Sequence, residues 1–172
     1  MKKLFSITYL LLYFFVLFSC YKTDDGTIAE PFIANSSSFS GYKTWKLEST
    51  TTGPATLLGP AHHGVNTSVT RKVYFKNGNS RVGSSYPIGT LVVKEATDAG
   101  GALLEVTAMV KRGNNFNTAA GNWEWFILNL NGSGNILKDS TGSEMRGGAS
   151  MMAGMCNSCH SAASSKDFTF SK

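Results

Sequence analysis

Between residues 70 and 130 the chain alternates short apolar runs with breaks rich in glycine and asparagine. KVYF, TLVVKE, ALLEVTAMVK and WEWFILNL are separated by KNGNS, ATDAGG and NTAAGN, and NGSGN closes the series. The runs are rich in valine, leucine, threonine and aromatics, which suit a pleated, half-buried surface, and the breaks hold residues that turns favour. Strands joined by turns are therefore predicted. No long stretch with a 3.6-residue period occurs between residues 41 and 140, so helix is predicted only in short pieces, around GYKTW and within SEMRGGASMMAGM. The pattern predicts a mainly β (α+β) class: an antiparallel sheet with a few short helices. Within TLVVKE, alternation puts Val92, Lys94 and Ala96 on one face and Val93 and Glu95 on the other. One face thus carries a lysine among small apolar side chains, and its plainer reading is an exposed strand lysine paired with a neighbouring acid.

The first 20 residues break this pattern. MKKLFSITYLLLYFFVLFSC has two lysines, an apolar run from Leu4 to Phe18, a small residue and Cys20. The run is short of the about 20 residues that a spanning helix needs, and its basic start and small-residue end are those of an export signal. LFSC resembles the bacterial lipobox, in which cleavage precedes a cysteine that carries diacylglycerol. Phe18 is an unusual residue for its position, and plain secretion or an uncleaved anchor are the alternatives. The following YKTDDGTIAEPFIANSSSFSG is polar, interrupted by Pro31 and rich in serine, and reads as a flexible spacer. The division expected is a signal over 1–19, a spacer over 20–40 and one domain over 41–172. The protein is expected to be exported, lipid-anchored through Cys20 to a bacterial membrane, and facing the periplasm or the outside. A diacylglycerol plus an N-acyl chain exceeds the single chain that anchors only marginally.

Charge changes the picture little. There are 16 basic and 11 acidic side chains, and loss of Lys2 and Lys3 with the signal leaves the excess milder still. The length fits one domain. No basic block with interleaved aromatics appears, which excludes the usual footprint of a nucleic-acid partner.

Cysteine usage is more informative. With Cys20 assigned to lipid, the remaining two of the three cysteines, Cys156 and Cys159, lie in MCNSCHSAA. CxxCH attaches c-type haem because two thiols three positions apart reach the two vinyl groups while the next residue, His160, presents an imidazole to the iron. One covalent haem c is expected. A zinc site would need further ligands, and the other histidines are His62 and His63 alone. A redox dithiol belongs in a thioredoxin-like βαβ context, and a structural disulfide would leave His160 as coincidence. Twelve residues follow His160. That place near the C-terminus is unlike ordinary electron-transfer cytochromes c, and the β pattern is unlike the four-helix cytochromes c′.

From Gly41 to Phe170 the residues resemble the cytochrome P-460 domain family, which includes cytochrome c′-beta. The resemblance is carried by YKTW, TRKVYFKN, YPIGTLVVKE, MVKRG, GNWEWF, the CxxCH and the closing KDFTF, in that order. It implies a mainly antiparallel β domain, often dimeric, with one five-coordinate haem whose open position binds nitric oxide, hydroxylamine or peroxide. In the hydroxylamine-oxidising members the lysine of the matching pattern is covalently joined to the porphyrin, and Lys94 falls on that position, whereas no such cross-link forms in cytochrome c′-beta. Arg71 resembles the family's distal-side arginine, which would donate hydrogen bonds to an iron-bound ligand, and its plainer reading is a surface arginine at a strand start. Oxidising hydroxylamine also needs a proton acceptor within reach. Glu105 and Glu144 are candidates, but MRGGASMMAG ahead of the haem motif is free of acids, which argues against a complete catalytic set.

Of the other residues with possible roles, His62 and His63 read more plainly as exposed loop residues, and Met109 is a better sixth ligand than Met151, Met152 or Met155. Trp123 and Trp125 fill the core, and Phe75 and Phe126 are possible apolar caps. The function expected is binding or oxidation of small nitrogen species, at the expense of a redox partner such as a cytochrome if oxidation occurs. The alternatives are a non-enzymatic nitric oxide binder of the cytochrome c′-beta type and a periplasmic electron carrier.

Overall fold

A computed structural model describes residues 29–78 and 80–170. The signal, Cys20 and the first part of the spacer lie outside the described residues. Six strands, β1 (Lys46–Thr52), β2 (Thr70–Phe75), β3 (Leu91–Thr97), β4 (Leu103–Lys111), β5 (Trp123–Ile127) and β6 (Arg146–Gly147), form one sheet in chain order. Every neighbouring pair is antiparallel. The four apolar runs are β2 to β5.

β1 and β6 were not legible as apolar runs. β1, KLESTTT, pairs on one side only and is mostly exposed. Threonine suits extended backbone, and the charged and hydroxyl side chains blunt an open sheet edge. The helical piece expected in SEMRGGASMMAGM begins later than predicted. Arg146 and Gly147 pair with β5, and helix starts only with a 3-10 turn at Met151–Gly154 that leads into α1 (Met155–His160). Gly147 and Gly148 are poor helix formers, and Arg146 is held to Glu124 on β5 at 2.8 Å.

Strand register sorts the side chains into two faces. On one, Phe75, Val92, Met109 and Trp125 lie side by side across β2 to β5, and Val73, Lys94, Thr107 and Ile127 form the next row. A third row is Arg71, Ala96 and Glu105. On the other face Tyr74, Val93, Ala108 and Phe126 are aligned and packed under Phe39 and Tyr42. Val93 and Phe126 are almost fully enclosed, and burial of such a side chain stabilises by roughly 1.5–3 kcal/mol. This second face also buries Glu95, whose carboxylate accepts from the hydroxyls of Tyr42 and Tyr74, each at 2.9 Å.

α1 covers the first face and is pinned there through Asn157. Trp125 Nε1 donates to Asn157 Oδ1 at 2.7 Å, and the amides of Asn157 and Asn117 exchange hydrogen bonds at 2.9 and 3.0 Å. Cys156 packs into the same apolar cluster as Trp125 and Phe75.

Candidate functional site

Between the first sheet face and the C-terminal segment lies a mainly apolar cavity of about 630 Å³. The row Phe75, Val92, Met109 and Trp125 forms its sheet wall, and Met151, Met152, Met155 and Phe170 line the opposite side. Cys156, Cys159 and His160 all face into it. One turn of helix separates the cysteines, which puts both on one side of α1. Their thiols are free, and burial pushes that of Cys156 up.

His160 is fixed by its surroundings. Its Nδ1 lies 2.6 Å from the Phe168 carbonyl oxygen, which can only accept, so Nδ1 carries the proton and Nε2 keeps its lone pair. Burial pushes its pKa down to about 4, outweighing the opposing pull of that carbonyl, so the ring is neutral. Trp125 and Phe170 flank it at ring distances of 4.6 and 5.3 Å.

Lys94 lines the cavity, as alternation places it, and is not a surface residue. Burial is the main influence on its amine, and the nearby Arg71 adds to it; against the attraction of Glu105 they bring its pKa down to about 8. A neutral amine is therefore accessible near physiological pH.

Glu105 shares the cavity wall. Burial pulls its carboxyl upward, but the hydrogen bond with His62 and the charges of His62, Lys94 and His63 outweigh it and hold the carboxyl below its ordinary range. His62 Nδ1 is 3.0 Å from Glu105 Oε1, and His63 Nε2 is 3.9 Å from Oε2. His62 thus belongs to the cavity, contrary to its reading as an exposed loop residue. The sequence hid this because the contact joins a loop to a strand 43 residues away.

Arg71 has a different occupation from the one the resemblance implies. It is 2% exposed and does not line the cavity. Its guanidinium donates to three backbone carbonyls, those of His62 at 2.8 Å, Gly53 at 2.8 Å and His63 at 2.5 Å. It holds the loop that presents His62. Glu144 lies away from the cavity and pairs with Arg146 at 3.2 Å. The ring of Phe126 packs against Phe39 on the other face, and Phe126 also contributes to the cavity lining, as Phe75 and Met109 do.

The donor set fits a c-type haem. The volume is that of a cofactor cavity, commonly about 300–1,000 Å³, its walls are apolar, two thiols and one neutral imidazole converge on it, and the imidazole has a free nitrogen. Among the described residues, no three or more His, Cys, Asp or Glu side chains gather as a protein-only metal site would require.

No curated protein and no solved structure matches the chain. A family model described as Cytochrome P460 matches residues 39–171. The match takes in all six strands, the cavity and the CxxCH helix, and the chain belongs to the cytochrome P460 family, a family of c-type haem proteins.

Proposed function

We propose that this chain carries one covalent haem in the cavity and oxidises hydroxylamine there. Cys156 and Cys159 would hold the haem by thioethers and His160 Nε2 would ligate its iron. When bound, the haem supplies an open metal position and a path for electrons. Conversion of hydroxylamine to nitric oxide releases three protons and three electrons, and the electrons pass to an external one-electron acceptor of the cytochrome class. The protons need a base within reach, and Glu105 is placed for this, ionised and oriented by His62. The observation that carries the reading is this carboxylate on the cavity wall beside Lys94. Phe75, Val92 and Met109 form the apolar part of the same cavity wall.

Lys94 would be a further attachment. Its amine would hold the macrocycle through one N–C bond, an attachment that would release two protons and two electrons to an oxidant of the peroxide class. The accessible neutral form supplies the lone pair that this bond needs. Export and anchoring through Cys20 complete the proposal, on the strength of the apolar run and LFSC.

The test is steady-state turnover of hydroxylamine by holoprotein made with a c-type maturation system, using a soluble one-electron acceptor. Turnover is expected, and Glu105→Gln should lower kcat by about 10²–10⁴-fold, the usual worth of a positioned base. Tight nitric oxide binding without hydroxylamine consumption at any pH would overturn the enzymatic reading in favour of a gas-binding protein.

A further inference from the structure

Phe168, whose carbonyl holds His160, sits in an unusual backbone. Asp167 and Phe168 have φ of 53° and 61°, two successive non-glycine residues in the left-handed region. This reversal turns the chain after the 3-10 segment Ser161–Lys166 back toward α1 and aims the Phe168 carbonyl at His160 Nδ1. Such a conformation persists only where its surroundings over-determine it.

Those surroundings converge on Asp167. Lys111 Nζ donates to both carboxylate oxygens at 2.7 Å, with Lys111 5% and Asp167 6% exposed. The Tyr86 amide donates to Oδ2 at 2.7 Å and Ser85 Oγ at 3.0 Å, while Trp123 Nε1 donates to the Asp167 carbonyl at 2.8 Å. Gly121 leaves the room: a Cβ there would stand 2.7 Å from Asp167 Oδ1 and 2.8 Å from the Phe168 ring. A buried ion pair contributes little net stability compared with apolar packing, but it is directional.

We propose that Lys111 and Asp167 are positioning residues for the proximal ligand. The pair fixes the left-handed turn, the turn sets the length of the bond from His160 Nδ1–H to the Phe168 carbonyl, and that bond tunes the imidazole as an electron donor. At 2.6 Å the bond is short for a nitrogen donor. A strong acceptor on the outer nitrogen raises the basicity of a metal-bound histidine. A more basic ligand favours the oxidised iron and stiffens the iron–histidine bond. The inference rests on the haem reading above.

Asp167→Asn in the holoprotein tests it, with resonance Raman of the ferrous form and a redox titration. A denaturing-gel haem stain is run first, so that loss of haem attachment, which would strike at the haem reading itself, is seen separately. The expected result is retained haem, an iron–histidine stretch moved to lower frequency, and about a tenfold shift of the redox equilibrium toward reduced iron, or 59 mV for one electron. Ser85→Ala removes one hydroxyl donor to the same carboxylate and should move both readouts in the same direction by less. Tyr42→Phe, which weakens the buried Glu95 cluster on the other face, should lower stability without moving the stretch. An unmoved stretch and potential in Asp167→Asn, or in Ser85→Ala where Asp167→Asn does not accumulate, overturns the proposal. An equal shift in Tyr42→Phe overturns it as well.

Discussion

His62 Nδ1 stands 3.0 Å from Glu105 Oε1, joining the loop after β1 to the first turn-side residues of β4 at the wall of the cavity. Burial raises the pKa of this carboxylate, and the bond and the surrounding positive charge outweigh it and hold the group below its ordinary range. Because the folded-state pKa of Glu105 is lowered, this interaction stabilises the fold above the ordinary carboxylate range and is lost as pH falls through the lowered value.

In the proposed reaction the same shift would set the acid limb of hydroxylamine turnover. In His62→Asn, position 62 keeps a residue that tolerates its φ of 49° but loses the titratable ring. The Glu105 pKa should rise, so the acid limb of kcat/KM for hydroxylamine moves to higher pH. A pH–rate profile that superimposes on the wild type would remove Glu105 as the base.

Lys94 separates two kinds of haem protein. A lysine bonded to the macrocycle deforms the ring, and the wild-type holoprotein should absorb further to the red than an ordinary haem c. Lys94→Ala should restore the ordinary spectrum and still bind nitric oxide. Identical spectra for the two proteins would leave Lys94 as an unbonded amine in the cavity.

Arg71 is expected to matter for stability first. Arg71→Met strips three backbone carbonyls, one of them buried, of their donor, and should cost roughly 3 kcal/mol in denaturant unfolding, the upper range for one hydrogen bond to a charged group. The haem absorption maximum should stay in place. A variant of undiminished stability with altered nitric oxide affinity would return Arg71 to the ligand side.

Haem attachment is checked most directly through the thiols. Cys156→Ala should retain haem on a denaturing gel at reduced yield, since Cys159 can still form one thioether, and the double variant should retain none. Wild-type protein without stain after c-type maturation would refute covalent attachment.

Anchoring is tested at the other end of the chain. Cys20→Ser should move the protein to the soluble fraction or leave the precursor uncut. Membrane partitioning that persists with a normally processed N-terminus would argue for a different anchor.

Much of this was legible in the sequence because the sheet announces itself by alternation. β2 to β5 are the apolar runs, and the facing of Lys94 follows from its position between Val93 and Glu95. β1 could not be read from hydrophobicity because an edge strand buries little. The partnership of His62 with Glu105 was equally out of reach, since it depends on where a loop comes to rest after the strands have paired. Arg71 shows the converse: its place in a family motif is readable, but a motif does not say which acceptors the guanidinium meets. Asn157, between the two cysteines, was missed because nothing local distinguishes a variable position of CxxCH from one that pins the helix to Trp125.

β3 is buried on both faces, with Val92, Val93 and Ala96 all nearly inaccessible, so apolar contacts alone would accept a strand displaced by one residue. Its adjacent charges do not. A one-residue slip exchanges the two faces: Glu95 would swing into the cavity against Glu105, and Lys94 would meet Tyr42 and Tyr74 with Lys43, 3.7 Å from Glu95 in the native pairing, close by. Each misplaced charge would leave its native partners, Glu95 the hydroxyls of Tyr42 and Tyr74 and Lys94 the carboxylate of Glu105. The Lys94–Glu95 dipeptide thus works as a proofreading mark for strand alignment, set by charge where apolar contacts would not discriminate.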